Sequence, residues 1–419
     1  MPATLRVLLV VGGAVLAIVA GAVAVSFSAP VRKIDAMVGE ALAPPPTPRG
    51  VKDREVVLGM ASVFSGANRE LGRAIKAGVE AAFLDLNAAG GVEGRMIHLV
   101  AVDDGYEPTR TLPAMKQLVE RDGVFAIVGN VGTPTAAVSA PFCSARKVLF
   151  FGALSGGDLL RRRPPDRYVF NVRPSYAEET AAAVRWLTGA RRIAPSRIAL
   201  FAQEDEFGAS GVRGAAEELR ARGVDTARIL QLGYRRNTDD VSAAVEMLRA
   251  RAKDVDAVVM VATYLPAAAF VRKLRDAGLR HVVTDVSAVD SNALAAELAA
   301  NGPRYTEGVL VTQIVPLPTS RLPGVVRFQE AMARRGRDDR PGFLALEGWI
   351  VGQVLAEAIR RTGRDLDTER LVDALERIRD LDLGIGAPIS FERGDHQGSR
   401  QVWGTMLQPD GAWKQVPLE

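Results

Sequence analysis

Cysteine is almost absent from this chain of 419 residues: Cys143 stands alone, which excludes an internal disulfide framework and any multi-cysteine metal site. On a helical face with Val138, it reads as a small core residue and not as a nucleophile. Histidine is nearly as scarce, and His98, His281 and His396 are isolated from one another, so neither a metal nor a cofactor is expected. Charge of one sign is lacking too, with 53 Lys and Arg against 49 Asp and Glu. The basic clusters at Arg161 to Arg163 and Arg334 to Arg340 interrupt loop-like sequence without interleaved aromatics, so they read as solvated loops and no nucleic-acid partner is expected. Catalytic signatures are missing as well: there is no G-x-S-x-G elbow, no P-loop and no dinucleotide glycine fingerprint after a strand, which argues against an enzyme.

What is present is apolar sequence, 48% of the chain, too long for one core and suited to two or three domains. Residues 5–27 are almost wholly apolar. That run exceeds the ~7 to 15 residues of a cleaved signal and favours an uncleaved anchor, while Ala22-Val23-Ala24 leaves cleavage open. Residues 1–29 are therefore read as a signal anchor or signal peptide, forming a hydrophobic helix. Pro44, Pro45, Pro46 and Pro48 make residues 30–53 a stiff linker.

The body from Arg54 alternates strand and helix. The stretch IHLVAVDDGYEPTRTLPAMKQLVERDGVFAIVGNVGTPT runs from a strand ending at Asp103-Asp104, through a helix with Leu112, Met115, Leu118 and Val119 on one face, to a second strand at Val124 to Val128. The turn Gly132-Thr133-Pro134-Thr135 follows. Its spacing places the Thr133 hydroxyl as a helix cap, with proline in the first turn and free backbone N–H groups facing outward; such a turn holds an anion or a carbonyl oxygen. Strands at Glu55 to Ala61 and Val148 to Phe151 complete a first block. A second block restarts after Arg173 with strands at Arg197 to Ala202, Arg228 to Leu232, Ala257 to Val261 and Val282 to Val286. Two blocks of this kind imply two doubly wound parallel-sheet lobes, an α/β fold. Three helical segments and the short strands Ile389 to Phe391 and Val402 to Leu407 close the chain.

The order of VVLGMASVFSGANRELGRAIKAGVEAAFLDLNAAGGVEGRMIHLVAVDDGYEPTRT, VFAIVGNVGTPTAA, FNVRPSYAEET, EDEFGASGVRGAAEEL, EGVLVTQIVP, LEGWIVGQVLAEAIRR and ISFERGDHQGSR resembles the periplasmic substrate-binding proteins of branched-chain amino acid (Leu/Ile/Val-binding) type ABC transporters. The likeness runs from Arg54 to the C-terminus. It implies the type I periplasmic-binding-protein fold, with two lobes joined by a three-strand hinge near Val172-Arg173, Thr312 to Pro316 and Gly384 to Pro388. Residues 54–172 plus 317–385 would form lobe one, and residues 173–316 plus 386–419 lobe two. A periplasmic protein is implied, a monomer that gives a small molecule to ABC permease subunits, with residues 5–27 as a candidate inner-membrane anchor. A ligand-sensing module reporting to a separate membrane partner is the alternative.

The resemblance also implies a pocket. Gly132 and Thr133, with Gly152, Ala153 and Ser155 of the next turn, would hold a ligand carboxylate. Phe64, Ser65, Leu71 and Tyr106 would add contacts from lobe one, although Phe64 and Leu71 suit the core equally well. Phe207, Tyr264 and the segment with Asp285 and Ser287 would close from lobe two. Two departures bear on the ligand. Amino-acid binders of the family set a carboxylate against the ligand's ammonium where Ser287 stands here, and a common tyrosine is Phe207. A buried ammonium without a paired charge is costly by several kcal/mol, so the expected ligand is a carboxylate, amide, aromatic acid or more lipophilic molecule, not a free α-amino acid.

Overall fold

The computed structural model describes residues 50–336 and 341–419; the apolar segment 5–27 and the proline-rich stretch lie outside the described residues. Among the described residues, no helix is long and apolar enough to cross a membrane.

The first sheet contains β1 (Glu55–Ser62), β2 (Met96–Asp103), β3 (Ala126–Val128), β4 (Leu149–Phe151) and β5 (Val169–Phe170), in the order β2-β1-β3-β4-β5. Its strand pairs are all parallel. Inner strands β3 and β4 are buried along their whole length while edge strand β2 is partly exposed, as expected of a parallel sheet covered on both faces. Between the strands run α1 (Arg69–Ala88), α2 (Pro108–Lys116) and α3 (Thr133–Ala145).

The second sheet has the order β12-β11-β10-β9-β8-β6-β7. Its parallel part comprises β6 (Ile198–Gln203), β7 (Gln231–Tyr234), β8 (Ala257–Val261), β9 (Val282–Asp285) and β10 (Val309–Gln313). Helices α4 (Tyr176–Thr188), α5 (Glu206–Ala221), α6 (Ser242–Ala250), α7 (Tyr264–Asp276) and α8 (Ser291–Ala299) alternate with those strands. An antiparallel hairpin of β11 (Trp403–Leu407) and β12 (Trp413–Val416) extends the sheet beyond β10.

Helices α9 (Pro323–Arg335), α10 (Phe343–Thr362) and α11 (Thr368–Leu375) return to the first sheet. Arg334 pairs with Asp85 of α1 at 2.7 Å, and α10 crosses α1 through glycines: a Cβ on Gly78 would lie 1.8 Å from the Ala345 carbonyl oxygen. The chain thus passes between the sheets three times. Val172 and Arg173, Ile314 and Val315, and Ser399 and Trp403 from those passages line one small internal cavity. The third passage follows Gln397, which bridges Asn171 beside β5; Gly384 to Pro388, expected as that crossing, is instead the turn between Leu381 and Ile389, which bridge each other.

Three local readings differ from the sequence expectation. The strand placed at Arg228 to Leu232 begins at Gln231, because Asp225 caps a tight turn at Thr226–Arg228. The segment Ile389 to Phe391 makes one antiparallel bridge, to Leu381, in place of a strand. Strand β12 carries Trp-Lys-Gln-Val on a partly exposed hairpin edge, a pattern with no apolar run to announce it.

Candidate functional site

The two turns expected to hold a ligand face one another. Thr133 Oγ1 and Ser155 Oγ are 2.8 Å apart, both fully buried, and Ser155 Oγ also accepts the Gly157 N–H at 3.2 Å. Thr133 does not cap its helix. Gly132, at φ 104°, occupies the cap position and no side chain bonds the first turn, so the Thr133 hydroxyl meets Ser155 instead and the capping expectation is corrected. In that first turn Pro134 has no N–H and Ala136 donates to the Gly132 carbonyl at 3.0 Å, so only Thr133 and Thr135 carry N–H groups without a carbonyl of the helix to bond. The second turn opens only a short tight turn at Asp158–Leu160, not an α-helix, so helix-start amides are available from one turn alone.

Around this hydroxyl pair stand aromatic rings from both halves. Tyr106 lies against Gly132 so closely that a Cβ there would be 2.2 Å from its ring. Tyr176, at the start of α4, donates its backbone N–H to the Gly156 carbonyl at 2.9 Å, and its ring centroid is 4.9 Å from that of Phe207. The halves are bonded directly at this level. Gln203 Nε2 donates to the Tyr106 hydroxyl oxygen at 3.1 Å, and the Tyr264 hydroxyl donates to the Ala67 carbonyl at 2.6 Å. Asn68 Nδ2 donates to Asn237 Oδ1 at 2.8 Å.

The remaining expected residues divide. Ser65 donates its hydroxyl to Asp103 Oδ2 at 2.5 Å and Phe64 its N–H to Asp103 Oδ1 at 2.8 Å. Partial burial pulls the Asp103 carboxyl upward, but bonds from Ser65, Phe64, Arg110 and Gly105 outweigh it and bring it to about 2. Leu71 packs in the core of the first half, and Ala153 in the cluster beneath α3. Gly152 backs onto Val351 of α10, where a Cβ would fall 2.5 Å from a methyl carbon. These three are brought to the packing side of their elements.

Asp285 ends β9 and Ser287 follows it, both buried beside the first passage at Arg173. Asp285 Oδ1 accepts the N–H groups of Ala262 at 3.1 Å and Val286 at 2.9 Å, its Oδ2 has no partner, and burial pushes its carboxyl well above the ordinary range. Ser287 donates its N–H and its hydroxyl to Glu179 at 2.8 and 3.0 Å and meets the guanidinium of Arg173. Arg173 pairs in turn with Glu179 at 3.1 Å and with Glu347 of α10 at 3.3 Å, all three buried. Burial pushes the Glu347 carboxyl up to about 7 despite Arg173 beside it. The position where a counter-ion for an ammonium was sought is thus occupied by a neutral hydroxyl bound to a cation.

Tyr176 and Gln203 escaped the sequence reading, and Arg173 was expected only as part of the first crossing. Tyr176 had one legible signal: Ser175 and Glu178 form a reciprocal capping box that fixes the start of α4 at this residue. Gln203 and Arg173 carry no local signal, because their partners lie on other elements.

Known proteins share this fold. A family model described as periplasmic binding protein matches residues 55–412. The crystal structure of a possible leucine/isoleucine/valine-binding protein from Rhodopirellula baltica is 34% identical, with a TM-score of 0.83, covering 88% of this chain and 98% of that one. A curated relative from Pseudomonas aeruginosa, an amino acid binding protein, is 27% identical over 271 residues, 62% of this chain and 67% of that protein. A fatty acid ABC transporter substrate-binding protein from Thermomonospora curvata shares the fold at a TM-score of 0.78 and 22% identity, covering 89% of this chain and 95% of that one.

Proposed function

The chain belongs to the periplasmic binding protein family, whose members bind a substrate without transforming it, and from that premise we propose that it captures a small organic ligand between its two halves and delivers it to an ABC importer. The halves are residues 54–172 with 317–397, and residues 173–316 with 398–419; the packing of Phe391 and His396 on Phe170 supports this later end of the first half over the division expected at 385. Family membership places the body outside the cytoplasm; anchoring at the inner membrane through residues 5–27 and handover to permease subunits by a monomer belong to the proposal.

The observation that carries it is the buried hydroxyl pair of Thr133 and Ser155, from two strand-end turns, under rings from both halves. Strand ends of doubly wound sheets are where ligands sit. A ligand oxygen would replace the mutual hydroxyl contact with two donated bonds. Ligand spanning both halves adds contacts only in the closed form, and so shifts the population toward closure by its differential affinity.

The ligand is proposed to be a carboxylate, amide, aromatic acid or more lipophilic molecule. In support, Arg173 occupies the hydroxyl of Ser287, and Asp285 is buried among backbone donors with its carboxyl pushed toward the neutral form. An ammonium would meet no free anion there.

Mass spectrometry of small molecules released from the natively purified full chain tests this. A bound molecule of one of those classes is expected, with affinity falling about 10- to 100-fold in the Thr133→Ala, Ser155→Ala double variant as two hydrogen bonds of about 0.5–1.5 kcal/mol each are lost. Tight calorimetric binding of leucine or valine would overturn the ligand class, and affinity unchanged in the double variant would overturn the site.

A further inference from the structure

Arg161 closes the short turn that follows Ser155, and its guanidinium spends every N–H on a neutral acceptor. Nη1 donates to the carbonyls of Ser155 at 3.2 Å and Gly157 at 3.0 Å. Nη2 donates to the carbonyls of Arg173 at 2.9 Å and Pro174 at 3.0 Å. Nε donates to Gln397 Oε1 at 2.8 Å. Among the described residues no carboxylate lies within ion-pair distance of it. Burial, with the nearby charge of Arg173, brings its pKa down to about 10, which still leaves it charged at neutral pH.

Five donors in a rigid plane fix what they touch more tightly than a point charge can. The three segments touched are the hydroxyl-bearing turn, the first crossing at Arg173-Pro174 and the third passage at Gln397. The crossings are laced to one another as well: Asn171 donates its N–H to the His396 carbonyl at 2.8 Å, and Gly398 donates its N–H to the Asn171 carbonyl at 2.7 Å. The Arg173 backbone held by Arg161 carries the side chain that binds Ser287, Glu179 and Glu347. One guanidinium therefore joins the turn to the hinge by a path of direct bonds.

We infer that Arg161 is a positioning residue that ties the Ser155 turn to the first and third crossings, so that a displacement at the turn is carried into the hinge. The inference rests on the proposed function only in calling that turn a ligand turn, and it is tested without ligand, so the two readings fail separately.

The test is hydrogen–deuterium exchange by mass spectrometry on the full chain, comparing Ser155→Ala in the wild-type and Arg161→Lys backgrounds. Ser155→Ala removes the acceptor of the Gly157 N–H and loosens the turn. In the wild-type background, exchange rises about threefold or more at residues 152–160 and also at 171–176 and 396–400. With Arg161→Lys, which keeps the charge and loses the fork, the rise stays within 152–160. Equal spread in both backgrounds, or no spread in the wild type, overturns the inference. Should Arg161→Lys fail to unfold cooperatively, Gln397→Ala replaces it: the rise is then lost at 396–400 and retained at 171–176, and a rise retained at both sites counts against the staple.

Discussion

Glu347 is a carboxylate placed where its charge is costly, and Arg173 is its one close cation. Because burial lifts its pKa to about 7, the folded state holds a proton that the unfolded chain releases near 4.3. The stability it contributes is complete below about pH 4.5 and is lost as pH rises through about 7. Buried Asp104, Asp205 and Asp290, each raised to about 6, act in the same direction. Asp103, lowered to about 2, acts oppositely but only in strong acid. The protein is therefore expected to lose stability between pH 5.5 and 8, and Glu347→Gln to lose on the order of 2 kcal/mol less over the same interval, from the roughly 1.5 units between pH 5.5 and the folded pKa of about 7. Urea midpoints at both pH values measure this. Parallel curves for variant and wild type would mean that Glu347 does not titrate there.

At the scale of elements, α1 and α10 of the first half meet backbone to backbone at glycines. Gly78 meets the Ala345 carbonyl, and Gly348 meets the Ile75 carbonyl, where a Cβ would stand 2.2 Å away. Backbone cannot retreat as a flexible side chain does, so Gly78→Ala is expected to cost at least about 1–3 kcal/mol by overpacking. The denaturant midpoint should fall with its slope unchanged. Gly394→Ala is the control: nothing lies within 4 Å of its Cβ position, and a change within about 0.5 kcal/mol is expected. Equal effects of the two substitutions would argue against this helix crossing.

At the scale of the whole molecule, polar contacts join the two halves at two separate places. At one, Arg236 donates to Glu107 at 2.9 Å and Asn237 to the same carboxylate at 2.6 Å. At the other, Arg213 Nε donates to Asp158 at 2.9 Å. These pairs are partly exposed, so salt weakens them over a Debye length of about 8–10 Å. Small-angle scattering of the Glu107→Gln, Asp158→Asn double variant is expected to show a larger radius of gyration than wild type at low salt, with the difference shrinking toward 1 M salt. An unchanged radius at low salt would mean that these pairs do not hold the halves together.

By itself, the order of apolar runs and helical faces determined two α/β blocks, the strand-end turns at Gly132 and Ser155, and the absence of cysteine, histidine or glycine signatures for chemistry. These are local properties, because period and turn chemistry are set by neighbours in sequence. The tertiary structure decided the rest. It turned the Thr133 hydroxyl toward Ser155 and away from its own helix, sent Leu71, Gly152 and Ala153 to the packing side, and bound Ser287 to Arg173 and Glu179. It also brought Tyr176, Gln203 and Arg161 to the cleft and hinge. Each of those outcomes depends on a partner tens to hundreds of residues away, and which distant group comes within bonding distance is set by how whole elements pack.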